Sequence, residues 1–197
     1  MEKLQAANKR IASDLENAYM EVIPFPDIEK RFEILKPKSH LAVTCSPTKG
    51  VDETLQLCEK LVDRGFQVTP HIAAKCVRDD AHLELIVERI EALNISSIFI
   101  PGGDRPEPLG RFSDSYQLLN SLRKLNHNIK SIGIAAHPEG HPDIDETILM
   151  ADLIRKKDLA TYIVTQMCFD ANILGDWLVK IKDLGVNLPV WAGLPGV

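Results

Sequence analysis

The 197-residue chain predicts an α/β fold, a TIM-type (β/α)8 barrel that is incomplete, with about seven strands. Three observations predict it. Short apolar runs alternate with helix-periodic stretches about seven times, the rhythm that builds parallel sheets from βα units. No run opens into the G-x-G-x-x-G turn of a doubly wound dinucleotide fold. A polar side chain closes nearly every apolar run, as around the mouth of a barrel. A barrel usually takes about 250 residues, so a helix and an eighth strand are expected to be missing. Residues 1–197 are expected to form a single barrel domain cut short at its C-terminus.

The elements follow in order. Residues 2–16, rich in Ala, Lys, Glu and Leu, read as an opening helix. Residues 19–23 read as a short strand stopped by Pro24 and Pro26, and residues 28–35 as a short helix. Residues 40–45 form the second strand. Asp52 is placed to cap the next helix, where Leu55, Cys58 and Val62 recur at helical spacing and Gly65 closes the end. Residues 66–71 are the third strand. Asp79 and Asp80 open the clearest helix, with Leu83, Ile86, Val87 and Ile90 on one face. The fourth strand, residues 97–100, runs into Pro101-Gly102-Gly103-Asp104, where two glycines let the backbone turn and a carboxylate stands at the strand end.

Ser113 and Asp114 open a helix through Leu118, Leu119 and Leu122. Residues 131–136 are the fifth strand, followed by His137-Pro138-Glu139-Gly140-His141-Pro142 and a helix over residues 145–157. Residues 161–165 are the sixth strand, ending at Gln166. Asp170 caps a helix carrying Ile173, Trp177 and Ile181, closed by Gly185, and residues 188–192 are the seventh strand.

Composition narrows the function. The chain is 45% hydrophobic and 26% charged, an ordinary globular mixture, and its net charge of -5 with no basic tract argues against a nucleic-acid partner. No apolar run approaches the roughly 20 residues of a membrane span, and Met1-Glu2-Lys3-Leu4-Gln5 lacks a signal-peptide core. Cys45, Cys58, Cys76 and Cys168 form no CxxC pair and read as reduced cytosolic cysteines, with no metal site among them.

The polar groups that close the strands are Glu21, Thr44, His71, Asp104, His137 with His141, and Gln166. Each alone has an ordinary explanation as a turn cap, a solvated charge or a satisfied core histidine. Together they outnumber what packing requires at one end of a sheet. They include no metal-ligand spacing, G-x-S-x-G elbow or P-loop. A set of carboxyl, amide, hydroxyl and imidazole groups suits a polar heteroaromatic ligand and the donation of one proton.

At these residues the chain resembles the methylenetetrahydrofolate reductase family, flavin-dependent (β/α)8 enzymes. The matching residues are Glu21 in Tyr-Met-Glu-Val-Ile-Pro, Val43-Thr44, Pro70-His71, Gly103-Asp104, the His137–Pro142 segment, Thr165-Gln166 with Phe169-Asp170, and Gly193-Leu194-Pro195. The His-Pro-Glu-Gly-His-Pro and Thr-Gln segments are the most specific. The resemblance implies a cytoplasmic oxidoreductase of one-carbon metabolism, upstream of methionine biosynthesis. NAD(P)H would reduce FAD, and the reduced flavin would convert 5,10-methylenetetrahydrofolate to 5-methyltetrahydrofolate. It implies Glu21 as the general acid that opens the folate's imidazolidine ring, Asp104 beside flavin and pterin, and Gln166 on the folate. It implies Thr44, His71, Gly103, Asp104, Ala135, His137 and His141 around the flavin, with Lys156 toward its phosphates. Gly102 stands where the family usually has arginine and His137 where it commonly has tyrosine, so FAD binding is expected to be weak. The expected partners are a folate and either a second copy or a partner subunit. The alternatives are a flavin-free relative that moves hydride directly, a non-catalytic folate- or flavin-binding subunit, and an unrelated barrel lyase or aldolase, disfavoured because no lysine closes a strand.

Overall fold

The computed structural model describes residues 9–11, 13–15, 18–25 and 28–195. Residues 9–11 and 13–15 are helical, and the remainder of the expected opening helix lies outside the described residues. Strand β1 (Met20–Val22) precedes the short helix α1 (Ile28–Arg31), which tightens into a 3-10 turn over Phe32–Ile34. Next come β2 (His40–Val43), α2 (Gly50–Asp63), β3 (Gln67–Pro70), α3 (Asp80–Ala92) and β4 (Ser97–Ile100). The second half runs α4 (Ser115–Leu122), β5 (Ser131–Ala136), α5 (Glu146–Lys156), β6 (Tyr162–Met167), α6 (Ala171–Asp183) and β7 (Val190–Gly193). Among the described residues no helix is long and apolar enough to cross a membrane.

Every strand pair is parallel. The order is β1-β2-β3 in one sheet and β4-β5-β6-β7 in the other. Among the described residues one isolated parallel bridge, His71 to Phe99, joins them, with the Ile72 N–H donating to the Phe99 carbonyl at 2.8 Å. The seven strands are therefore one curved surface in sequence order. The curl is visible in its two ends: the Tyr19 ring, beside β1, stacks on Trp191 of β7 with centroids 5.2 Å apart. Residues at opposite ends of a sheet meet only when the sheet wraps round, so the incomplete barrel read from the sequence is the observed architecture. Strands β1 and β7 are not paired to each other in the described residues.

Burial explains the local sequence. Leu41, Ala42 and Val43 are buried in succession, as are Ile98, Phe99 and Ile100. Unbroken apolar runs belong to parallel strands covered on both faces. Helix α3 buries Leu83, Ile86, Val87 and Ile90, the face its periodicity marks out. The carboxylates of Asp79, Asp114 and Asp170 accept the N–H groups of His82, Gln117 and Asn172, fixing the starts of α3, α4 and α6. Asp52 does not cap α2. The helix begins at Gly50, whose N–H bonds the Ser46 carbonyl at 2.8 Å, so Asp52 lies within the first turn. Its carboxylate instead accepts from Arg89 of α3 at 3.0 Å, and Glu59 accepts from the same guanidinium at 2.9 Å.

The floor of the barrel holds one close contact. A Cβ on Gly133 would lie 2.4 Å from Cζ of Tyr162. The Tyr162 hydroxyl donates to the Ile98 carbonyl at 3.2 Å, so the ring crosses β5 to reach β4. Glycine at 133 is what lets a tyrosine span three strands. Gly133→Ala is expected to destabilise the protein by about 1–3 kcal/mol, the usual cost of overpacking. Thermal melting of Gly133→Ala, Tyr162→Leu and the double variant checks this. The double variant should be less destabilised than the sum of the two single changes, because the clash is between those two positions.

Candidate functional site

Parallel pairing sends all seven strands out at one edge, and the loops leaving them form a mouth. The turn after β4 is its best-defined corner. Gly103 has φ of +94°, and a Cβ there would stand 3.0 Å from the Ala73 Cβ. Glycine alone meets both demands cheaply. The Pro101 and Gly102 carbonyls accept the Ala74 and Lys75 N–H groups, each at 3.0 Å. Arg105 donates to the Pro47 carbonyl at 2.5 Å, and the Lys75 ammonium donates to the Arg105 carbonyl at 3.1 Å. The corner is thereby stitched to the loops after β2 and β3. Asp104 at its tip is exposed. The flank at Gly102 is open, with no atom beyond its own chain neighbours within 4 Å of its Cβ position.

Glu21 and His71 come together across β2. Glu21 sits opposite Ala42 in the β1–β2 register, and its Oε1 lies 3.7 Å from Nε2 of His71. That is beyond a hydrogen bond but within range of a strong charge effect. His71 packs on Phe99 with ring centroids 4.6 Å apart. Burial holds its imidazole down to about 4, so the ring is neutral at pH 7. The Glu21 side chain is 67% exposed, yet partial burial still raises its carboxyl above the usual carboxylate range. A carboxyl beside a neutral ring keeps its proton longer than one beside a cation. On β2, the Thr44 N–H donates to the Val22 carbonyl at 2.9 Å, and the Thr44 carbonyl accepts the Thr54 hydroxyl at 3.1 Å.

The second half of the mouth gathers His137, His141 and Lys156. The two imidazoles meet edge-on with centroids 5.2 Å apart. Burial, then His141 and the Lys156 ammonium, hold His137 below the usual imidazole range. Ala135 is half-buried on β5. Lys156 is 3% exposed. Its ammonium pairs with Asp152 and donates to Ser115 Oγ at 3.2 Å, so it ties α5 to α4. Gln166 is exposed, with its Oε1 accepting the Met167 N–H at 2.9 Å.

Sequence reasoning missed Glu139. Its Oε1 accepts the Phe169 and Asp170 N–H groups at 2.8 and 3.0 Å and the Cys168 thiol at 3.3 Å. One carboxylate oxygen therefore clamps the loop after β6 to the loop after β5. These bonds, that from Asp170 foremost, hold its carboxyl below the usual carboxylate range. The signal was its place inside the His137–Pro142 segment. Its target, 29 to 31 residues on, is visible only in three dimensions.

Comparison with known proteins now decides the family. The profile described as Methylenetetrahydrofolate reductase matches residues 27–197. The chain belongs to this family. Methylenetetrahydrofolate reductase 1 of Schizosaccharomyces pombe is 38% identical over 86 residues, covering 42% of this chain and 14% of that protein. Methylenetetrahydrofolate reductase (NADH) 1 of Arabidopsis thaliana is 27% identical over 126 residues, covering 55% and 21%. The probable methylenetetrahydrofolate reductase (NADPH) of Caenorhabditis elegans is 28% identical over 120 residues, covering 56% and 17%. The matched stretches are thus about a fifth or less of these relatives' lengths. Among solved structures, a β-mannanase from Thermomonospora fusca superposes with a TM-score of 0.54 at 13% identity, over 89% of this chain and 67% of that one. A muconate cycloisomerase from Azorhizobium caulinodans gives 0.50 at 14%, over 89% and 45%. At such identity these two speak for the fold alone.

Two expectations follow for this reductase-family mouth. An unfolded histidine takes its proton near 6.5, whereas folded His71 resists protonation until about 4. Between those values the unfolded state binds more protons, so the contribution of His71 is whole above about pH 6.5 and falls as pH drops toward 4. Denaturant melts at several pH values should show a loss of up to roughly 3 kcal/mol in wild type that is absent in His71→Gln. For Glu139→Ala, hydrogen exchange at the Phe169 and Asp170 amides should rise at least tenfold with the melting temperature nearly unchanged. Unaltered protection of those amides would remove the clamp.

Proposed function

We propose that this chain forms the flavin- and folate-binding mouth of a methylenetetrahydrofolate reductase. The activity would pass hydride from NAD(P)H through FAD to 5,10-methylenetetrahydrofolate, giving 5-methyltetrahydrofolate. The observation that carries this reading is Glu21 beside neutral His71, a carboxyl raised above its usual range and standing at the mouth. Opening the folate's five-membered ring takes a proton near neutral pH, and a raised carboxyl suits that task. Glu21 gives its proton to the ring nitrogen as the C–N bond opens. His71 stays uncharged and does not lower that acid. Gln166 and Asp104, both exposed at strand ends, orient the pterin.

The residues also fit the ring system of a flavin. The open flank at Gly102, the close glycine corner at Gly103, and the lowered imidazoles of His71 and His137 offer an uncharged polar wall. Thr44, His71, Gly103, Asp104, Ala135, His137 and His141 would hold it, with Lys156 toward the phosphates once its ammonium leaves Asp152. When bound, the flavin supplies the two-electron hydride chemistry. The electron donor is NADH or NADPH, the two coenzymes printed in the relatives' names.

Glu21→Gln tests the proposal, because it keeps shape and hydrogen bonding but removes the transferable proton. Folate reduction should fall on the order of 10²–10⁴-fold, while NAD(P)H oxidation by an artificial dye stays within a factor of about two. Equal loss of both reactions, or loss of neither, overturns the assignment. A second reading has its own observation. The Lys156 ammonium is already engaged by Asp152 and Ser115, which favours a flavin-free relative that passes hydride directly to the folate. Folate reduction by protein with no flavin absorbance would select it.

A further inference from the structure

The loop after β4 lies as a ribbon along the turn after β3. The Lys75 N–H donates to the Gly102 carbonyl at 3.0 Å, the Leu109 N–H to the Lys75 carbonyl at 2.9 Å, and the Arg111 N–H to the Arg78 carbonyl at 2.8 Å. Residues 102–109 thus close a ring of backbone around Lys75. Its ammonium donates across that ring to the Arg105 carbonyl at 3.1 Å. The Arg105 guanidinium donates to the Pro47 carbonyl at 2.5 Å and to the Glu107 carbonyl at 3.3 Å. Among the described residues, backbone carbonyls are the only acceptors that either cation holds. Each cation is half-buried, and each has N–H donors to spare. Arg89, Arg111 and Arg155, by contrast, all pair with carboxylates. The adjacent acids, Asp104 and Glu107, are exposed, and neither carboxylate accepts from Lys75 or Arg105. In a chain of net charge -5, two half-buried cations with no counterion, beside the open flank at Gly102, make a local positive field that suits an anion.

We propose that Lys75 and Arg105 form an anion subsite for the diphosphate of the nicotinamide coenzyme. This rests on the reductase reading, in which two dinucleotides use one mouth and each brings a diphosphate. Lys156, in the other half of the mouth, is 3% exposed and reaches the flavin phosphates only by leaving Asp152. Lys75 and Arg105 have nothing to leave. Their bonds to backbone carbonyls stay in place while the spare N–H groups take phosphate oxygens. A guanidinium offers a planar fork of donors to those oxygens, and an ammonium adds a compact charge. The backbone ribbon holds both residues in place before the ligand arrives, which lowers the ordering cost of binding. NADH and NADPH share the diphosphate, so the subsite sets affinity for the coenzyme and not the choice between the two. A coenzyme that passes hydride directly to the folate carries the same diphosphate, so the subsite serves that route as well.

The test is isothermal titration of the whole chain with NADH, NADPH and ADP, the last carrying a diphosphate but no nicotinamide. Lys75→Gln and Arg105→Gln should each weaken all three ligands about 10–100-fold, the range for a lost hydrogen bond to a charged group. Lys75→Arg keeps the charge and should stay within about threefold of wild type. Lys157→Gln removes the same charge from an ammonium that also sits on a carbonyl, that of Gly185 at 3.2 Å, and should change nothing. Raising the salt from about 50 to about 200 mM should weaken ADP binding severalfold in wild type and little in the double Gln variant. Should Arg105→Gln release Pro47 and misfold, Lys75→Gln carries the test, because the backbone bonds of residue 75 remain. Binding needs no folate and no turnover, so its outcome is separate from that of Glu21→Gln: folate reduction by a protein that binds no ADP sinks the subsite alone. Gln variants that bind ADP as tightly as wild type, an equal loss in Lys157→Gln, or weakened FAD binding with coenzyme affinity intact would each overturn the proposal.

Discussion

One backbone bridge, His71 to Phe99, holds the two parallel sheets as a single curved surface. Its surroundings depend on it. The bridge continues past the end of β3, so residues that would be loop become ladder, and the Ile72, Ala74 and Lys75 amides pair with Phe99, Pro101 and Gly102. That extension puts the Gly103 corner against Ala73. It also drives the His71 ring into the protein, where burial removes its charge. A charged imidazole there would work against the bridge and would draw the Glu21 carboxyl down. Architecture and acidity at the mouth therefore share one cause.

The mouth is assembled from loops, yet few of them are free. Arg105 reaches the loop after β2, Lys75 reaches back to Arg105, and Glu139 clamps the loop after β6. Each of these is a charged group bonded to backbone, the kind of bond worth more than a neutral one. A rigid rim is what positioning chemistry requires, since a displacement of about 1 Å can cost on the order of a hundredfold in rate. The open flank at Gly102 is the exception, and it lies where a ligand would have room.

Helix–helix contacts follow a different logic. Asp52 and Glu59 share Arg89, and Asp152 holds Lys156 against Ser115. The first set is largely solvated and contributes modestly, about 0.2–1 kcal/mol per pair. The second is buried, so removing one partner would leave a stranded charge. A lysine expected at a phosphate is therefore also a joint between α4 and α5.

The sequence by itself determined the element order, the parallel class and the apolar faces of the helices. These depend on local periodicity and turn residues, which act over a few positions: Asp79, Asp114 and Asp170 cap helices because a short carboxylate reaches its own next turn. It also marked Glu21, His71 and the His137–Pro142 segment as unusual, through polar groups placed where strands end. The tertiary structure alone decided which of them meet. Glu21 lies beside His71 because β2 separates them by one strand, His71 is neutral because Phe99 covers it, and Glu139 reaches the Phe169 and Asp170 amides because two loops leave adjacent strands. Asp52 shows the limit of local reading. As a cap candidate it was reasonable, but Arg89, 37 residues away, offered a better partner once the fold brought α3 alongside. Pairings across such separations depend on the register of the whole sheet, which no single stretch of the chain encodes.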